Sequence, residues 1–230
     1  MAEITLLRHG QASFGADNYD QLSALGHQQA YWLGEHFRAL GESFDRIITG
    51  SMTRHTQTAE GFLKGLQQDI PLLRDHNLNE YDFAGLLTPL KNDYPELWVE
   101  TDNARRDYYH NMKLALDYWM KGIIDSDGQD SWLSFCERTV AGFTKAYQQP
   151  AKKTLVVSSG GPIAAILSTL LQLDHRSCQD ITLQIKNTSI TKLLYRGHQA
   201  DIQNTRFTLD SFNNISHLQS AEKIHSITFS

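Results

Sequence analysis

The feature that most constrains the fold of this chain is a short apolar run, Ile4 to Leu7, which ends abruptly at Arg8, His9 and Gly10. An apolar run of this length, bounded by a turn residue, is typical of a buried strand. In open α/β sheets, ligands bind at the carboxyl ends of the strands, and glycine lets the backbone pass close to a ligand. A strand end with a surface arginine and histidine explains the same residues, so this run alone leaves both interpretations open.

A second short apolar run covers residues 154–157 and ends at the sequence Ser-Ser-Gly-Gly-Pro of residues 158–162. Val156 and Val157 favour a strand, and Pro162 suits the first position of a helix. The start of a helix presents unbonded N–H groups and the positive end of the helix dipole, so it readily binds an anion. The sequence therefore predicts a second strand whose end leads into an anion-binding turn.

Strand and helix patterns alternate along the rest of the chain. Strands are predicted within 44–51, 71–73, 182–195 and 207–212, and helices over 27–40, with Ser23 as the N-cap, and over 53–67. This alternation predicts an α/β fold, a three-layer sandwich in which a mostly parallel central sheet is flanked by helices. Amphipathic patterns rich in aromatic residues predict a helical cap insertion at about 88–148, within a single domain that spans residues 1–230.

Composition excludes several classes of partner. The net charge is −5 with a pI of about 6.0, which argues against a nucleic-acid or anionic-membrane partner. The two cysteines, Cys136 and Cys178, make no disulfide framework and fit a reducing compartment. The hydropathy pattern of the sequence indicates neither a signal peptide nor a membrane span, so we expect a cytoplasmic protein. The sequence does not indicate an oligomeric state.

Four stretches with polar side chains fall at predicted strand ends or in the loops that follow them: residues 8–10, 51–54, Glu80 and 158–161. Guanidinium groups bind the oxygens of a phosphoryl group bidentately. A histidine can accept a phosphoryl group as a covalent nucleophile, and a carboxyl group can protonate the departing alkoxide. Together these residue types predict a site for phosphoryl transfer.

In this order, the blocks resemble those of the histidine phosphatase superfamily, in its phosphoglycerate-mutase-like branch. The resemblance rests on the Leu-Leu-Arg-His-Gly run at 6–10, on residues 22–26 with Gln29 and Ala30, and on residues 51–59, 78–80 and 83–85. It extends to Arg138, to Asn187 and Ser189, and to residues 214–218. It covers nearly the whole chain, and an ordered set of blocks is far more specific than any one of them.

The resemblance implies a role for each matching residue. His9 would take the phosphoryl group as a phosphohistidine, Arg8 and Arg54 would hold its oxygens, and Glu80 would protonate the leaving group and then activate water. The other implied binding residues are Ser159 and Gly160 for phosphate and Gln11 and Ser13 for substrate. No metal or cofactor is implied, because the arginines supply the positive charge, and the expected ligand is a small phosphorylated substrate or inorganic phosphate.

Two positions depart from the family pattern. Ser159 stands where the family has a second histidine, which helps to hold the phosphoryl group, and Gly15 stands where many relatives have an asparagine. Serine donates only one neutral hydrogen bond, and losing one such donor costs about 10²–10³ in rate. His55 is a candidate to replace the missing cation, although neighbouring positions on a helix point in different directions.

These residues support three hypotheses. The first is a phosphatase that hydrolyses a small phosphomonoester with reduced turnover. The second is a catalytically silent protein of the same fold that binds a phosphorylated ligand or a partner. The third is a phosphoglycerate mutase, which the missing second histidine disfavours because a mutase must clamp its substrate tightly.

Overall fold

A six-stranded sheet forms the centre of the described part of the chain, which comprises residues 1–13, 20–125, 130–148, 150–196 and 205–229 of a computed structural model. The strands are β1 (Ala2–Arg8), β2 (Arg46–Thr49), β3 (Leu72–Arg74), β4 (Lys153–Ser158), β5 (Ile190–Tyr195) and β6 (Phe207–Asn214). Their order is β3-β2-β4-β1-β5-β6, and only the pairs that include β5 are antiparallel. The mostly parallel sheet predicted from the sequence is confirmed.

Helices cover both faces of this sheet. They are α1 (Ala24–Ala39), α2 (Thr53–Leu66), α3 (Phe83–Asp93), α4 (Ala104–Met120), α5 (Trp132–Gln148), α6 (Gly160–Leu171) and α7 (His175–Gln184). Ser23 is the predicted N-cap of α1, and its hydroxyl accepts a hydrogen bond from the Gly26 N–H at 3.0 Å. In the described ranges, no α-helix combines the length and the apolar composition needed to cross a membrane.

The three layers follow from the alternation of side chains along the strands, because successive residues of a strand point to opposite faces. In β1, Leu7 packs in one buried cluster with residues of α1 and α2, such as Leu33 and Phe62. Ile4 and Leu6 pack on the other face, in a cluster to which α3, α4, α5 and α6 contribute. The sheet is therefore buried on both sides, as its continuous apolar runs predict.

The paired carboxyl ends of β1 and β4 lie at the switch point of this topology. The two strands are parallel neighbours, and Arg8 pairs with Ser158 at their ends. The helix that follows β1 packs on one face of the sheet, whereas the helix that follows β4 packs on the other. Because the two connections diverge, a crevice opens between the strand ends, and ligands bind in such crevices.

One predicted strand is partly wrong. The alternating pattern over 182–195 predicts a strand throughout, but residues 182–184 belong to α7 and β5 begins at Ile190. Asp174 starts the helix by accepting a hydrogen bond from the Ser177 N–H at 2.8 Å. The Thr182 hydroxyl donates to the Cys178 carbonyl at 2.9 Å, so a residue with high strand propensity is accommodated inside a helix.

The segment predicted to form the cap contains two kinds of helix. The helices α3 and α4 border the crevice at the strand ends. Helix α5 instead packs against the strands β5 and β6, where the ring of Tyr147 lies 5.9 Å from that of Tyr195 and 5.3 Å from that of Phe207. The limits of the insertion stay a prediction, and Gly15 lies outside the described residues.

Candidate active site

A cavity of about 970 Å³ opens at the carboxyl ends of β1 and β4. Seven of the eight residues that the sequence predicts for the site line this cavity: Arg8, His9, Gln11, Ser13, Arg54, Glu80 and Gly160. Ser159 is the exception, because it is fully buried and does not line the cavity. The structure therefore brings seven of the predicted residues together around one cavity, and Ser159 is buried outside the lining of that cavity.

The imidazole of His9 is held in one tautomer. Its Nδ1 lies 2.6 Å from the carbonyl oxygen of Gly10, so Nδ1 carries the proton and donates it, and Nε2 keeps a lone pair. Burial lowers the pKa of His9 well below its usual value, and the positive charges of Arg54 and Arg8 lower it further. His9 is therefore a neutral imidazole at pH 7, which is the form that can act as a nucleophile.

The turn that carries His9 is fixed by backbone contacts. The His9 N–H donates to the Ser158 carbonyl at 2.9 Å, and the Gly10 N–H donates to the Thr58 hydroxyl at 3.0 Å. A Cβ atom at position 10 would lie 2.5 Å from the carbonyl oxygen of Gly26. Glycine is therefore needed at this turn because the backbone at the start of α1 packs directly against it.

The side chain of Arg8 is anchored by the end of the described chain. Its Nη1 donates to the carbonyl of Phe229 at 2.7 Å and also to that of Ile185. Asn187 joins the same segment to His9, since its Nδ2 donates to the His9 carbonyl at 3.1 Å and its backbone N–H donates to the Thr228 carbonyl at 2.9 Å. The polypeptide near residue 229 therefore forms part of the wall of the cavity.

An aspartate that the sequence did not single out holds the second arginine. The Nη1 of Arg54 donates to Asp20 Oδ1 at 2.9 Å, and Arg54 is only 3% exposed. The other oxygen of Asp20 accepts from the Thr53 N–H at 2.9 Å, so Asp20 also caps the start of α2. The same carboxylate therefore positions the guanidinium group and the helix that carries it.

Glu80 lines the same cavity as His9 and the two arginines. Its carboxylate accepts hydrogen bonds from the Gly161 N–H at 3.1 Å and from the Tyr81 N–H at 3.3 Å. Burial raises the pKa of Glu80, and this effect outweighs the Gly161 N–H, the two arginine charges and the Tyr81 N–H, which lower it. The carboxyl group therefore keeps its proton to a higher pH than an exposed glutamate does.

The loop that precedes Glu80 is held by Arg138, which the sequence marked only through the family resemblance. Arg138 Nη1 donates to the carbonyls of Asn77 at 3.0 Å and Asn79 at 2.8 Å, and its Nε donates to Asp130 at 2.7 Å. Because a planar guanidinium group makes these bonds in fixed directions, Arg138 orients the loop that ends at Glu80.

Gln11 and Ser13 line the cavity on the side of α1. The Gln11 side-chain oxygen accepts from the hydroxyl of Ser23 at 2.8 Å, and the Ser13 N–H donates to the Gln21 carbonyl at 2.8 Å. These bonds hold the Gln11 side chain and the Ser13 backbone in place at the cavity. Within the described ranges, no three histidine, cysteine, aspartate or glutamate side chains are grouped as metal ligands.

A substitution at Gly161 tests how closely Glu80 is packed. A Cβ atom at position 161 would lie 2.1 Å from Glu80 Oε1 and 2.6 Å from Tyr81 Cε1, whereas a Cβ at Gly160 would meet only the Thr182 carbonyl at 3.3 Å among close contacts. We expect Gly161→Ala to cost about 1–3 kcal/mol through overpacking and to lower the melting temperature by about 5 °C. Differential scanning calorimetry of both variants checks this, and equal melting temperatures for Gly161→Ala and Gly160→Ala would contradict it.

His55 is the residue of the site that sequence reasoning placed least well. It is fully buried, its Nε2 lies 2.7 Å from the Ser159 hydroxyl oxygen, and its ring centroid lies 5.6 Å from that of His9. Burial, followed by the charge of Arg54, lowers the pKa of His55 well below its usual value. The sequence left His55 as one candidate to replace the missing cation, and the lowered pKa, which keeps its imidazole neutral at pH 7, does not favour that role. Its position next to Arg54 was the only signal in the sequence.

The model of the histidine phosphatase superfamily (branch 1) matches residues 4–208 of this chain. The chain belongs to the histidine phosphatase superfamily. The described fold is consistent with this membership, since the match runs from the first strand, β1, into the last, β6.

Two curated relatives in this superfamily are named as mutases. A 2,3-bisphosphoglycerate-dependent phosphoglycerate mutase of Bartonella quintana is 31% identical over 104 residues, which are 42% of this chain and 50% of that relative. A probable phosphoglycerate mutase, GpmB, of Salmonella paratyphi C is 28% identical over 206 residues, which are 86% of this chain and 87% of the relative. The chain thus matches half the length of the first relative and most of the second.

A solved structure of a histidine phosphatase-like fold carries a phosphatase name instead. The mycobacterial glucosyl-3-phosphoglycerate phosphatase has a TM-score of 0.64 and 21% sequence identity, and the match covers 93% of this chain and 99% of that one. At this identity the likeness concerns the fold. Relatives and structural neighbours therefore include both mutases and phosphatases.

Proposed function

We propose that this protein is a phosphatase that hydrolyses a phosphomonoester through a phosphohistidine at His9. The observation that carries the proposal is the state of His9. Its Nδ1 is bonded to the Gly10 carbonyl and its imidazole is neutral, in a cavity that Arg8, Arg54 and Glu80 share. The Leu-Leu-Arg-His-Gly run at 6–10 supports the same assignment through its resemblance to the family signature.

In the first step, the Nε2 lone pair of His9 attacks phosphorus and the bond from phosphorus to the leaving-group oxygen breaks. Arg8 and Arg54 stabilise the negative charge on the phosphoryl oxygens. The leaving oxygen takes the proton of the Glu80 carboxyl group, which burial keeps protonated above the usual pH range of a glutamate. The products are phosphohistidine, a neutral alcohol and the Glu80 carboxylate.

In the second step, water attacks the phosphorus of the phosphohistidine. The Glu80 carboxylate accepts a proton from this water, the bond between phosphorus and His9 Nε2 breaks, and inorganic phosphate forms. His9 returns to a neutral imidazole and Glu80 to a carboxylic acid, so the site is ready for another turnover. The reaction needs no further reactant beyond water.

The outer wall of the cavity supports a substrate with a large apolar leaving group. Apolar side chains line this wall: Phe83, Tyr108, Tyr109, Met112 and Leu183. The described residues that line the cavity include one more arginine, Arg105, in addition to Arg8 and Arg54. Apolar walls with few polar groups favour apolar ligands, so we expect a higher kcat/KM for 1-naphthyl phosphate than for glycerol phosphate.

Two other functions are supported by particular observations. The 28% identity to a probable mutase over most of the chain favours mutase activity. The replacement of the second histidine by Ser159, which is bonded to His55 and set behind the cavity wall, favours a silent binding protein. Neither accounts as directly as hydrolysis does for a neutral His9 that shares its cavity with a carboxyl group of raised pKa.

Rapid quenching of the protein with a ³²P-labelled phosphomonoester separates the three functions. We expect label on the protein that is stable to alkali and lost in acid, as a phosphorus–nitrogen bond is, and that chases into inorganic phosphate. Transfer of the label to added 3-phosphoglycerate in preference to water would favour the mutase. Binding of inorganic phosphate by calorimetry without any labelled protein would favour the silent binding protein and contradict the proposal.

A further inference from the structure

Thr188, in the turn that leads into β5, has a backbone conformation that its side chain disfavours. Its φ is 53°, in the left-handed region, where a β-branched residue is a rare outlier. Such strain persists only where the surrounding structure imposes it, and it is concentrated at functional sites. Thr188 is fully buried and follows Asn187, whose side chain donates to the His9 carbonyl. The strained residue therefore lies next to the turn that carries His9.

The Thr188 N–H holds the backbone on both sides of His9. It is shared between the Arg8 carbonyl at 3.1 Å and the His9 carbonyl at 3.3 Å, and the His9 carbonyl also accepts from Asn187 Nδ2 at 3.1 Å. These bonds extend the pairing of β1 with β5 beyond the end of β1, where the Arg8 N–H donates to the Ser189 carbonyl at 3.1 Å. The peptide groups before and after His9 are thus both bound by the turn.

The side chain of Thr188 is held by His217, which lies in the segment after β6. Thr188 Oγ1 lies 2.8 Å from the Asn187 carbonyl oxygen and 3.0 Å from His217 Nε2. A carbonyl only accepts, so the hydroxyl proton goes to Asn187, and His217 Nε2 donates its own proton to the hydroxyl oxygen. Burial, followed by the charges of His36 and Lys223, lowers the pKa of His217 to about 3. The imidazole is therefore neutral at pH 7, and its single proton lies on Nε2.

These contacts together fix the φ angle of Thr188. Rotation about the N–Cα bond moves the side chain relative to the N–H group of the same residue. Here the N–H is bound to the carbonyls of Arg8 and His9, and the hydroxyl is bound to His217. A change of Thr188 to a negative φ would break the bonds at one end or the other. The hydrogen bond from His217 therefore opposes the relaxation that the strain favours.

We propose that His217 is a positioning residue for His9, which it serves by holding Thr188 in the conformation that binds the backbone on both sides of His9. This inference rests on the proposed function, in which His9 is the nucleophile. His217 is only 5% exposed and does not line the cavity, so it acts through Thr188. A displacement of a reacting group by about 1 Å lowers the rate by about 100-fold, and the effect of His217 is therefore expected on kcat.

Two variants of His217 with side chains of similar length separate the hydrogen bond from packing. His217→Gln keeps an N–H donor for Thr188, whereas His217→Met fills a similar space without one. We expect His217→Met to lower kcat for 1-naphthyl phosphate by about 10-fold or more, with the affinity for inorganic phosphate within about 3-fold of wild type because the arginines are untouched. His217→Gln should keep kcat within about 3-fold. Leu218→Val, at the neighbouring fully buried residue, is the control for lowered stability and should keep the wild-type kcat.

Substitutions of Thr188 test the strain itself. Glycine adopts a positive φ without a steric cost, so Thr188→Gly should keep kcat within about 3-fold of wild type and should no longer need His217. We therefore expect Thr188→Gly/His217→Met to stay within about 2-fold of Thr188→Gly. Thr188→Val keeps the β-branched shape without the hydroxyl, so it should lower kcat as His217→Met does. A wild-type kcat in His217→Met would overturn the inference, as would an equal loss in both backgrounds or a loss that Leu218→Val reproduces.

Amide hydrogen exchange, followed by NMR, measures the same contact without turnover. The Thr188 amide is buried and bonded, so it exchanges only when the turn opens. We expect it to exchange about 10-fold faster in His217→Met than in wild type or His217→Gln, while the amide of Val156, in the central strand β4, keeps its rate. Equal Thr188 rates in all three proteins, or an equal acceleration at Val156, would contradict the inference. If the wild-type protein hydrolyses no phosphomonoester, the proposed function fails, and the exchange rate still tests whether His217 holds Thr188.

Discussion

Replacement of His9 by alanine is expected to abolish phosphomonoester hydrolysis, with kcat lowered by about 10⁴-fold or more. The variant loses the Nε2 atom on which the phosphoryl group would be carried. No other histidine of the described part of the chain lines the cavity, and His55 is fully buried. Steady-state hydrolysis of 1-naphthyl phosphate and quench-flow labelling with ³²P measure the two consequences.

Inorganic phosphate binding should survive this substitution. Arg8 is held by the Phe229 carbonyl and Arg54 by Asp20, so both guanidinium groups should keep their positions and the affinity of His9→Ala for phosphate should stay within about 10-fold of the wild-type value. His27→Ala, which removes an exposed histidine of α1, is the matched control and should keep full activity. Hydrolysis at the wild-type rate in His9→Ala, or acid-stable labelled protein, would rule out the phosphohistidine.

The carboxyl edge of the sheet could be predicted from local patterns in the sequence. The runs that end at Arg8 and Ser158 are each recognisable as strands, and parallel neighbours end at the same edge, where Arg8 in fact pairs with Ser158. Glu80 lies in a loop with no local pattern of its own, so only the family resemblance pointed to it. The position of Glu80 in the same cavity as His9 depends on contacts distant in sequence, such as those of Arg138.

His55 and Asp20 show why the rest of the site could not be predicted. Successive residues of a helix point about 100° apart, so a helix that directs Arg54 to the cavity is predicted to direct His55 away from it. The first turn of α2 instead lies at the edge of the site, so Arg54 lines the cavity while the ring of His55 lies 5.6 Å from that of His9. Asp20 carries no helical or strand period, and its contact with Arg54 joins residues that are 34 positions apart in the sequence.

The second large effect is expected for Glu80→Gln, which keeps an oxygen for the Gly161 N–H but has no proton to give to an alkoxide. For alkyl phosphomonoesters we expect kcat to fall by about 10²–10⁴-fold. For 4-nitrophenyl phosphate, whose leaving group needs no proton, phosphorylation of His9 should be nearly unchanged while attack by water slows. Stopped-flow measurement should therefore show a burst of about one nitrophenolate per chain, because each chain carries one His9 to be phosphorylated.

The pH dependence separates this role from a structural one. Burial raises the pKa of Glu80, so the wild-type kcat/KM for alkyl substrates should fall as the pH rises through that raised pKa, because the carboxyl group loses the proton it must donate. Glu80→Gln should lack this limb. Asp82→Asn is the matched control, since Asp82 lies two residues away and caps α3 through the Ala84 N–H at 3.0 Å, and it should keep the wild-type profile. Equal losses for alkyl and nitrophenyl substrates in Glu80→Gln, without a burst, would mean that Glu80 only shapes the cavity, since a proton donor must matter more for the poorer leaving group.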